Sequence, residues 1–113
     1  MYRRRAKSKY GNHPMVINGI RFDSVKEGNR WMELQMLQKA GFISDLQRQV
    51  KFELQPEFYH KGKKIRPINY IADFTYYENG EYIVEDVKGV KTREYQNKKK
   101  QMLYIHGIEI KEV

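Results

Sequence analysis

The sequence contains no cysteine, only three prolines and no apolar run long enough to cross a bilayer. The lack of cysteine excludes disulfides and thiolate metal sites. The three histidines, His13, His60 and His106, are too widely spaced for a zinc motif. Because the N-terminus also lacks the apolar core of a signal peptide, we expect a cytoplasmic protein that does not enter a membrane.

Acidic residues are outnumbered, with 14 of them against 22 lysines and arginines, which gives a formal net charge of +8. Such a surplus favours a polyanionic partner, because binding to phosphates releases condensed counterions. On charge alone, a solubilising surface with a disordered basic tail is the alternative. A membrane surface is a poor candidate, since no basic amphipathic helix has an exposed apolar face. The residues that we expect to bind nucleic acid are Arg3, Arg4, Arg5, Lys7, Lys63, Lys64, Lys91, Lys98 and Lys99.

A chain of 113 residues is the usual size of one domain. We expect a flexible basic arm over residues 1–14 and a single domain over 15–113. Helix-capping residues, glycines and the alternation of apolar residues predict the elements along the chain. The first half contains a hairpin at Asn18-Gly19, a helix from Ser24 to Gly41 and a strand over 46–54. A basic hairpin or loop over 58–65, paired strands over 69–77 and 81–88, a helix over 92–106 and a strand over 108–113 follow. This order predicts a mixed α/β or α+β domain with a central sheet flanked by helices.

Two carboxylates and a lysine fall within apolar predicted strands, where charged residues are costly to bury. Asp73 lies in the middle of one strand, and Asp86 and Lys88 lie near the end of the next. Since side chains alternate, Asp86 and Lys88 share one face of their strand, whereas Glu85 points to the other. Paired strands can bring Asp73, Asp86 and Lys88 together, as ligands for Mg²⁺ and as a lysine that orients or deprotonates a water. A salt bridge at a solvated end of the sheet is the alternative.

Glu27 lies three residues after Ser24, at the start of the first predicted helix. Its spacing from Trp31 and Leu34 places it at the head of the apolar stripe that faces the sheet. It can therefore join the acidic site, or it can act only as the capping-box glutamate of its own helix. The sequence leaves both roles open.

These residues resemble the PD-(D/E)xK pattern of the restriction-endonuclease-like nucleases. In that family an Asp on one core strand and an (Asp/Glu)-x-Lys on the next hold the metal, and a Glu on the first helix often completes the site. The matching residues are Asp73 in Ile71-Ala72-Asp73-Phe74, Asp86-Val87-Lys88 followed by Gly89, and Glu27. Position 72 is Ala where the pattern has Pro. The resemblance implies a restriction-endonuclease-like core with the element order α-β-β-β-α-β.

Residues from about Gly11 to Val113 also resemble small phage proteins of uncharacterised function in this superfamily, and are similar to transposase endonuclease subunits and Holliday-junction resolvases. The resemblance implies a Mg²⁺-dependent DNA endonuclease of phage type that acts in the cytoplasm of a bacterial host, with Mn²⁺ able to substitute. Its implied site consists of Asp73, Asp86, the Val87 carbonyl and Glu27 around the metal, with Lys88 beside the water. A homodimer is a further expectation, because such resolvases commonly work as dimers.

Several alternatives remain at the level of sequence. A non-catalytic nucleic-acid-binding module would use the same basic surface, and its acids would form structural salt bridges. A phage accessory protein would use its charge only for solubility. The choice between DNA and RNA, the nucleic-acid structure that is cut and the number of metal ions are also open.

Overall fold

The computed structural model describes residues 13–87 and 91–113. Within these residues the elements are β1 (Met15–Ile17), β2 (Ile20–Phe22), α1 (Val25–Lys39), β3 (Ser44–Gln55), β4 (Phe58–His60), β5 (Lys63–Ile65), β6 (Ile68–Glu78), β7 (Glu81–Asp86), α2 (Arg93–Gln101), a π-helical turn (Met102–His106) and β8 (Lys111–Glu112). The predicted basic arm over 1–14 lies outside the described residues except for its last two positions. Of the helices in the described part of the chain, none is long and apolar enough to cross a membrane.

The central sheet has the strand order β3-β6-β7-β8. Strand β6 pairs antiparallel with both β3 and β7, and β7 pairs parallel with β8. Two helices accompany this mixed sheet, so the predicted α+β class and the core order α-β-β-β-α-β are confirmed. The last strand is shorter than predicted, because only Lys111–Glu112 pairs with β7.

Helix α1 begins where the capping pattern predicts. The Ser24 hydroxyl accepts a hydrogen bond from the backbone N–H of Glu27 at 3.1 Å. Beyond the last helical residue, Gly41 has a φ of 89°, a conformation that glycine adopts without strain. Leu34 is fully buried, and the Trp31 ring stacks on Phe74 of β6. These contacts fix α1 across one face of the sheet.

Two hydrophobic clusters lie on the two faces of the sheet. The first contains side chains from α1, the β1–β2 hairpin, the segment before β3 and the sheet: Phe22, Leu34, Ile43, Phe74 and Tyr76. The second contains side chains from α2, the π-helical turn, the segment before β8 and the sheet: Leu54, Tyr70, Ala72, Val84, Tyr95, Met102 and Ile110. Each helix therefore covers one face, which leaves the sheet buried on both sides at its centre.

Strand β6 changes faces near its middle. Tyr70 and Ala72 belong to the second cluster, whereas Phe74 and Tyr76 belong to the first. Strict alternation would place these four side chains on one face of the strand. The change falls at Asp73, which is half-buried between them.

Strand β3 changes faces at the same level. Leu46 packs in the first cluster and Leu54 in the second, so the alternation over 46–54 does not give one apolar face. Between them Gln49 has a φ of 56°, and the register of the flanking pairs places it level with Asp73. A residue other than glycine in this region stores backbone strain of about 1 kcal/mol. Irregular strand positions of this kind are common beside functional sites.

Candidate active site

Strands β6 and β7 separate at the level of Asp73 and Asp86. The last paired residues in that direction are Phe74 and Glu85, and the two aspartates come next on their strands. The Asp73 side chain takes the place of a backbone acceptor there, because its Oδ2 accepts the Val87 N–H at 2.8 Å. On its other side β7 pairs with β8. The two aspartates therefore lie side by side at a fork in the sheet, as the strand pairing predicts.

The carboxyl groups of Asp73 and Asp86 are in contact. Asp86 is buried and Asp73 is half-buried. Burial raises the pKa of Asp73 to about 8, and the negative charge of Asp86 and a hydrogen bond between the two carboxyl groups add to the shift. The N–H of Val87 acts in the opposite direction. Placing both negative charges here is unfavourable, and a bound cation would remove the penalty.

Tyrosines from the second cluster form one side of the fork. The Tyr70 hydroxyl donates a hydrogen bond to Oδ2 of Asp86, and burial together with this bond raises the pKa of Tyr70 above its usual range. The Tyr95 hydroxyl donates to Oε2 of Glu112 at 2.7 Å, and Tyr95 packs in the cluster that contains Met102. The charge of Asp86 adds to the raised pKa of Tyr95 after burial and the Glu112 bond. Both hydroxyls are thus held as neutral donors beside the acids.

Glu27 approaches the aspartates from α1. It is only 6% exposed, and its Oε2 lies 3.4 Å from Nε2 of Gln49. Burial raises the pKa of Glu27, and the charges of Asp23 and Asp86 add to the increase. In turn, the charge of Glu27 contributes to the raised pKa of Asp73. Its backbone N–H donates to the Ser24 cap, and its carboxylate lies within electrostatic range of the acidic pair.

Arg48 and Gln49 of β3 lie beside Glu27, and sequence reasoning missed Arg48 entirely. The guanidinium carbon of Arg48 lies 5.0 Å from the centre of the Phe22 ring, a cation–π arrangement. Its positive charge lowers the pKa of Glu27, against the larger effect of burial. Within the described residues, Arg48 Nε is buried without a hydrogen-bond partner.

Glu85 precedes Asp86 in sequence but serves the opposite face, as the side-chain alternation predicts. Arg30 of α1 donates from Nε and Nη2 to its two carboxylate oxygens, at 2.7 Å in each case. The Tyr76 hydroxyl donates to it at 2.6 Å. This bidentate pair, with a Glu85 side chain that is 0% exposed, connects α1 to β7. Glu85 is therefore a structural carboxylate.

The predicted nucleic-acid-binding lysines of the described chain lie in two places. Lys63 and Lys64 are exposed on β5, in the predicted basic hairpin, which is formed by β4 and β5. Lys91 and Lys99 lie 3.0 and 3.3 Å from the carboxylate oxygens of Glu112, and Lys98 of α2 lies 3.4 Å from Glu94. Such exposed pairs are weak and can open to bind phosphate.

Glu112 is the acidic centre of this second group. Its hydrogen bond from Tyr95, followed by those from Lys91 and Lys99, lowers the pKa of Glu112 to about 2. The remaining sequence-predicted site residues, Arg3, Arg4, Arg5, Lys7 and Lys88, lie outside the described residues.

A metal ion at the fork would have the acidic pair as its nearest side chains. Across residues 13–87 and 91–113, no group of three or more His, Cys, Asp or Glu side chains is arranged as a metal site. Asp73 and Asp86 would therefore supply the side-chain ligands, and further oxygens have to come from the backbone or from water.

The chain belongs to the family described as 'Protein of unknown function (DUF1064)'. The model of this family matches residues 7–111. The matched range includes Glu27, Asp73, Asp86 and Lys88, together with the β4–β5 hairpin. Comparisons with curated proteins and with solved structures give no match.

Proposed function

We propose that this protein is a Mg²⁺-dependent nuclease that hydrolyses DNA phosphodiester bonds at the fork between β6 and β7. The position of Asp73 beside Asp86 at the fork, directly after the last paired residues of β6 and β7, is the observation that carries the proposal. Acids that repel one another in a buried setting destabilise a fold, and such arrangements cluster at functional sites. The PD-(D/E)xK resemblance of the sequence supports the same assignment.

The acidic pair fits a hard divalent cation. The Val87 N–H fixes the orientation of Asp73, and the Tyr70 hydroxyl fixes that of Asp86, in the way that outer contacts position ligands in metal sites. We propose the backbone carbonyl of Val87 as a third ligand and Glu27 as a ligand of an outer water or of a second ion. Bound Mg²⁺ would place positive charge beside the scissile phosphate and lower the pKa of an attacking water.

The protein side chains have separate tasks in this proposal. Asp73 and Asp86 bind the cation, and Lys88 orients the attacking water or removes its proton. The Arg48 guanidinium, which packs on Phe22 beside Glu27, supplies positive charge for a phosphate of the substrate. Gln49 holds the carboxylate of Glu27 through its side-chain amide.

The proposed substrate is branched DNA, of the kind formed during recombination or replication of a phage in its bacterial host. The net charge of +8 and the basic residues on β5 and α2 supply attraction to phosphates that does not depend on sequence. One site makes one nick, so paired cuts in a junction require two copies of the chain. A homodimer is therefore part of the proposal, and its mass in solution, with and without junction DNA, tests it.

A cleavage assay tests the nuclease activity. Wild-type protein, Asp73→Asn and Lys88→Ala are incubated with single-stranded, duplex, flapped and four-way-junction DNA in Mg²⁺, Mn²⁺ or EDTA. We expect metal-dependent cutting of at least one substrate by the wild type and its loss in both variants. Asp45→Asn is the matched control, because Asp45 is an exposed aspartate of β3 away from the fork. Its activity should equal that of the wild type.

Two outcomes contradict the proposal. Cleavage that survives Asp73→Asn would show that the fork is not the active site. Tight DNA binding that is independent of Mg²⁺, with no cutting in any metal, would favour the non-catalytic binding module instead.

A further inference from the structure

The β4–β5 hairpin extends the long β3–β6 pair beyond the end of the central sheet. Its register pairs Phe58 with Ile65, Tyr59 with Lys64 and His60 with Lys63. The turn at Lys61 and Gly62 has φ values of 51° and 78°, as in a type I′ turn, which matches the twist of two antiparallel strands. It forms a separate two-stranded sheet, which we call the ribbon.

This ribbon contributes little to the hydrophobic interior. Among the described residues, neither cluster includes a side chain from β4 or β5. Phe58 is 45% exposed and Tyr59 is 67% exposed. An isolated two-stranded ribbon is marginally stable in water, and aromatic side chains left in solvent are typical of binding surfaces. The ribbon therefore has a surface suited to a partner rather than to the core.

Its charge indicates the chemistry of that partner. Lys61, Lys63, Lys64 and Arg66 lie within or beside the ribbon, against the single acid Glu57. Glu57 lies 3.5 Å from Lys64, in a pair that is exposed to solvent. Cations interleaved with aromatic side chains favour nucleic acid, because phosphates take the charges and sugars or bases contact the rings.

We propose that the β4–β5 ribbon enters a groove of duplex DNA next to the cleavage site and so makes cleavage depend on duplex flanking that site. The inference rests on the proposed function in taking DNA as the substrate. The major groove is about 12 Å wide and admits a two-stranded ribbon, which the described turn and strands provide. Lys63 and Lys64 contact the phosphates, and Tyr59 packs on the groove wall.

The length of the chain sets where this contact falls. Between Gly62 at the tip and Asp73 at the fork, an extended chain spans at most about 36 Å, at about 3.3 Å per residue. One turn of B-DNA is about 34 Å long. The ribbon can therefore contact the duplex no further than about one helical turn from the scissile phosphate.

Paired variants test the ribbon. Lys63→Ala/Lys64→Ala removes two ribbon charges, and Lys39→Ala/Lys111→Ala removes two exposed charges elsewhere. Tyr59→Ala removes the ribbon aromatic, and Tyr104→Ala removes a tyrosine that is 91% exposed on the π-helical turn. Affinity for a 30-bp duplex, a 10-bp duplex and single-stranded DNA is measured by fluorescence anisotropy in EDTA between 50 and 200 mM salt. Polyglutamate serves as a competitor, and thermal melting checks the fold of each variant.

We expect the ribbon double variant to bind the 30-bp duplex about tenfold more weakly at physiological salt and to lower the slope of log K against log salt by about 2. Tyr59→Ala should weaken binding about fivefold, as stacking and packing contacts to nucleic acid do. The two control variants should change affinity less than twofold. Melting temperatures should stay within a few degrees, because the ribbon lies outside both clusters.

The ribbon assignment is overturned by equal losses in the ribbon and control variants, by equal losses on single-stranded DNA, or by polyglutamate competing as well as DNA does. Cleavage by the same proteins separates this inference from the nuclease proposal. If the wild-type protein binds DNA through the ribbon but never cuts it, the nuclease proposal is wrong and DNA binding by the ribbon stands. If the ribbon variants bind and cut DNA like the wild type, the ribbon assignment is wrong and the nuclease proposal stands.

Discussion

Glu85 and Asp86 are consecutive carboxylates at the end of β7, both buried, yet their surroundings differ in kind. Glu85 receives two hydrogen bonds from Arg30 and one from Tyr76, so that its charge is matched by a guanidinium. Asp86 receives a hydrogen bond from Tyr70 and lies against Asp73, which brings a second acid to the same point. Glu85 therefore stabilises the fold, whereas its neighbour Asp86 takes part in an acidic pair that destabilises it.

The difference shows what each face of the sheet is built for. The Glu85 face fastens α1 to the sheet by a buried bidentate ion pair. The Asp86 face opens at the fork, where burial raises the pKa of Asp73 to about 8. A site that gives up stability in the free protein in order to bind a ligand is the usual trade between stability and function. Substitutions that exchange the two behaviours test this contrast.

The largest expected effect is on cleavage by Asp86→Asn. Loss of one metal-binding carboxylate should lower the rate at saturating Mg²⁺ by about a thousandfold, which is about 4 kcal/mol of transition-state stabilisation. The melting temperature should stay within a few degrees of the wild type, because the amide oxygen can still accept from Tyr70. Single-turnover cleavage and calorimetry measure the two quantities. A variant that lost stability but kept its rate would make Asp86 structural like Glu85.

The neighbouring substitution Glu85→Gln should lower stability and leave most of the cleavage rate. Removing the charge leaves the Arg30 guanidinium, which is 18% exposed, without its full partner. Breaking such a buried pair should lower the free energy of unfolding by about 3 kcal/mol, as measured by urea denaturation. Where the variant remains folded, its Mg²⁺-dependent rate should fall less than tenfold. A large loss of rate at unchanged stability would place Glu85 in the active site.

Metal-free stability should depend on pH through Asp73. Its pKa in the folded protein lies above its unfolded value near 4, so the stabilisation present below about pH 4 is lost as the pH rises towards 8. In EDTA the melting temperature should therefore fall by a few degrees from pH 5 to pH 8.5, and Mg²⁺ should restore it most at the higher pH.

Asp73→Asn provides the control for this dependence. The neutral side chain should flatten the pH profile, raise the metal-free melting temperature at pH 8.5 and abolish the Mg²⁺ effect, whereas Asp45→Asn should behave like the wild type. An unchanged profile in Asp73→Asn would show that the acidic pair does not govern the pH dependence.

The smallest expected effect concerns Arg48. Replacement by Met keeps much of its packing on Phe22 but removes the charged guanidinium. We expect kcat/KM for DNA cleavage to fall about tenfold, in line with the loss of one charge-assisted hydrogen bond to phosphate. Replacement of the exposed Lys51 by Met on the same strand is the control. If the two substitutions lower kcat/KM equally, Arg48 has no specific role at the site.

The elements near the site were predictable because local patterns determine them. The Ser24 cap begins α1, and the Asn79-Gly80 turn with φ values of 52° and 80° joins β6 to β7. That hairpin, together with the period of two along a strand, was enough to bring Asp73 and Asp86 together and to send Glu85 to the other face. Both features depend on residues close together in sequence.

The change of faces in β3 and β6 was not predictable. It occurs at Gln49, whose positive φ has no glycine or asparagine to signal it, and the alternation of apolar residues in β3 continues through it unchanged. The position of Arg48 beside Glu27 depends on this irregularity. The Tyr70 bond to Asp86 joins residues that are 16 positions apart, and Tyr70 alone gives no sign of it. Contacts made between elements, rather than within them, completed the site.

The most direct test of the central claim is anomalous scattering from crystals of the protein soaked in Mn²⁺. The account predicts a Mn²⁺ peak in bonding contact with carboxylate oxygens of both Asp73 and Asp86, and the disappearance of that peak in Asp73→Asn. A protein that cuts DNA in Mn²⁺, with the ion bound elsewhere and the fork empty, would contradict it.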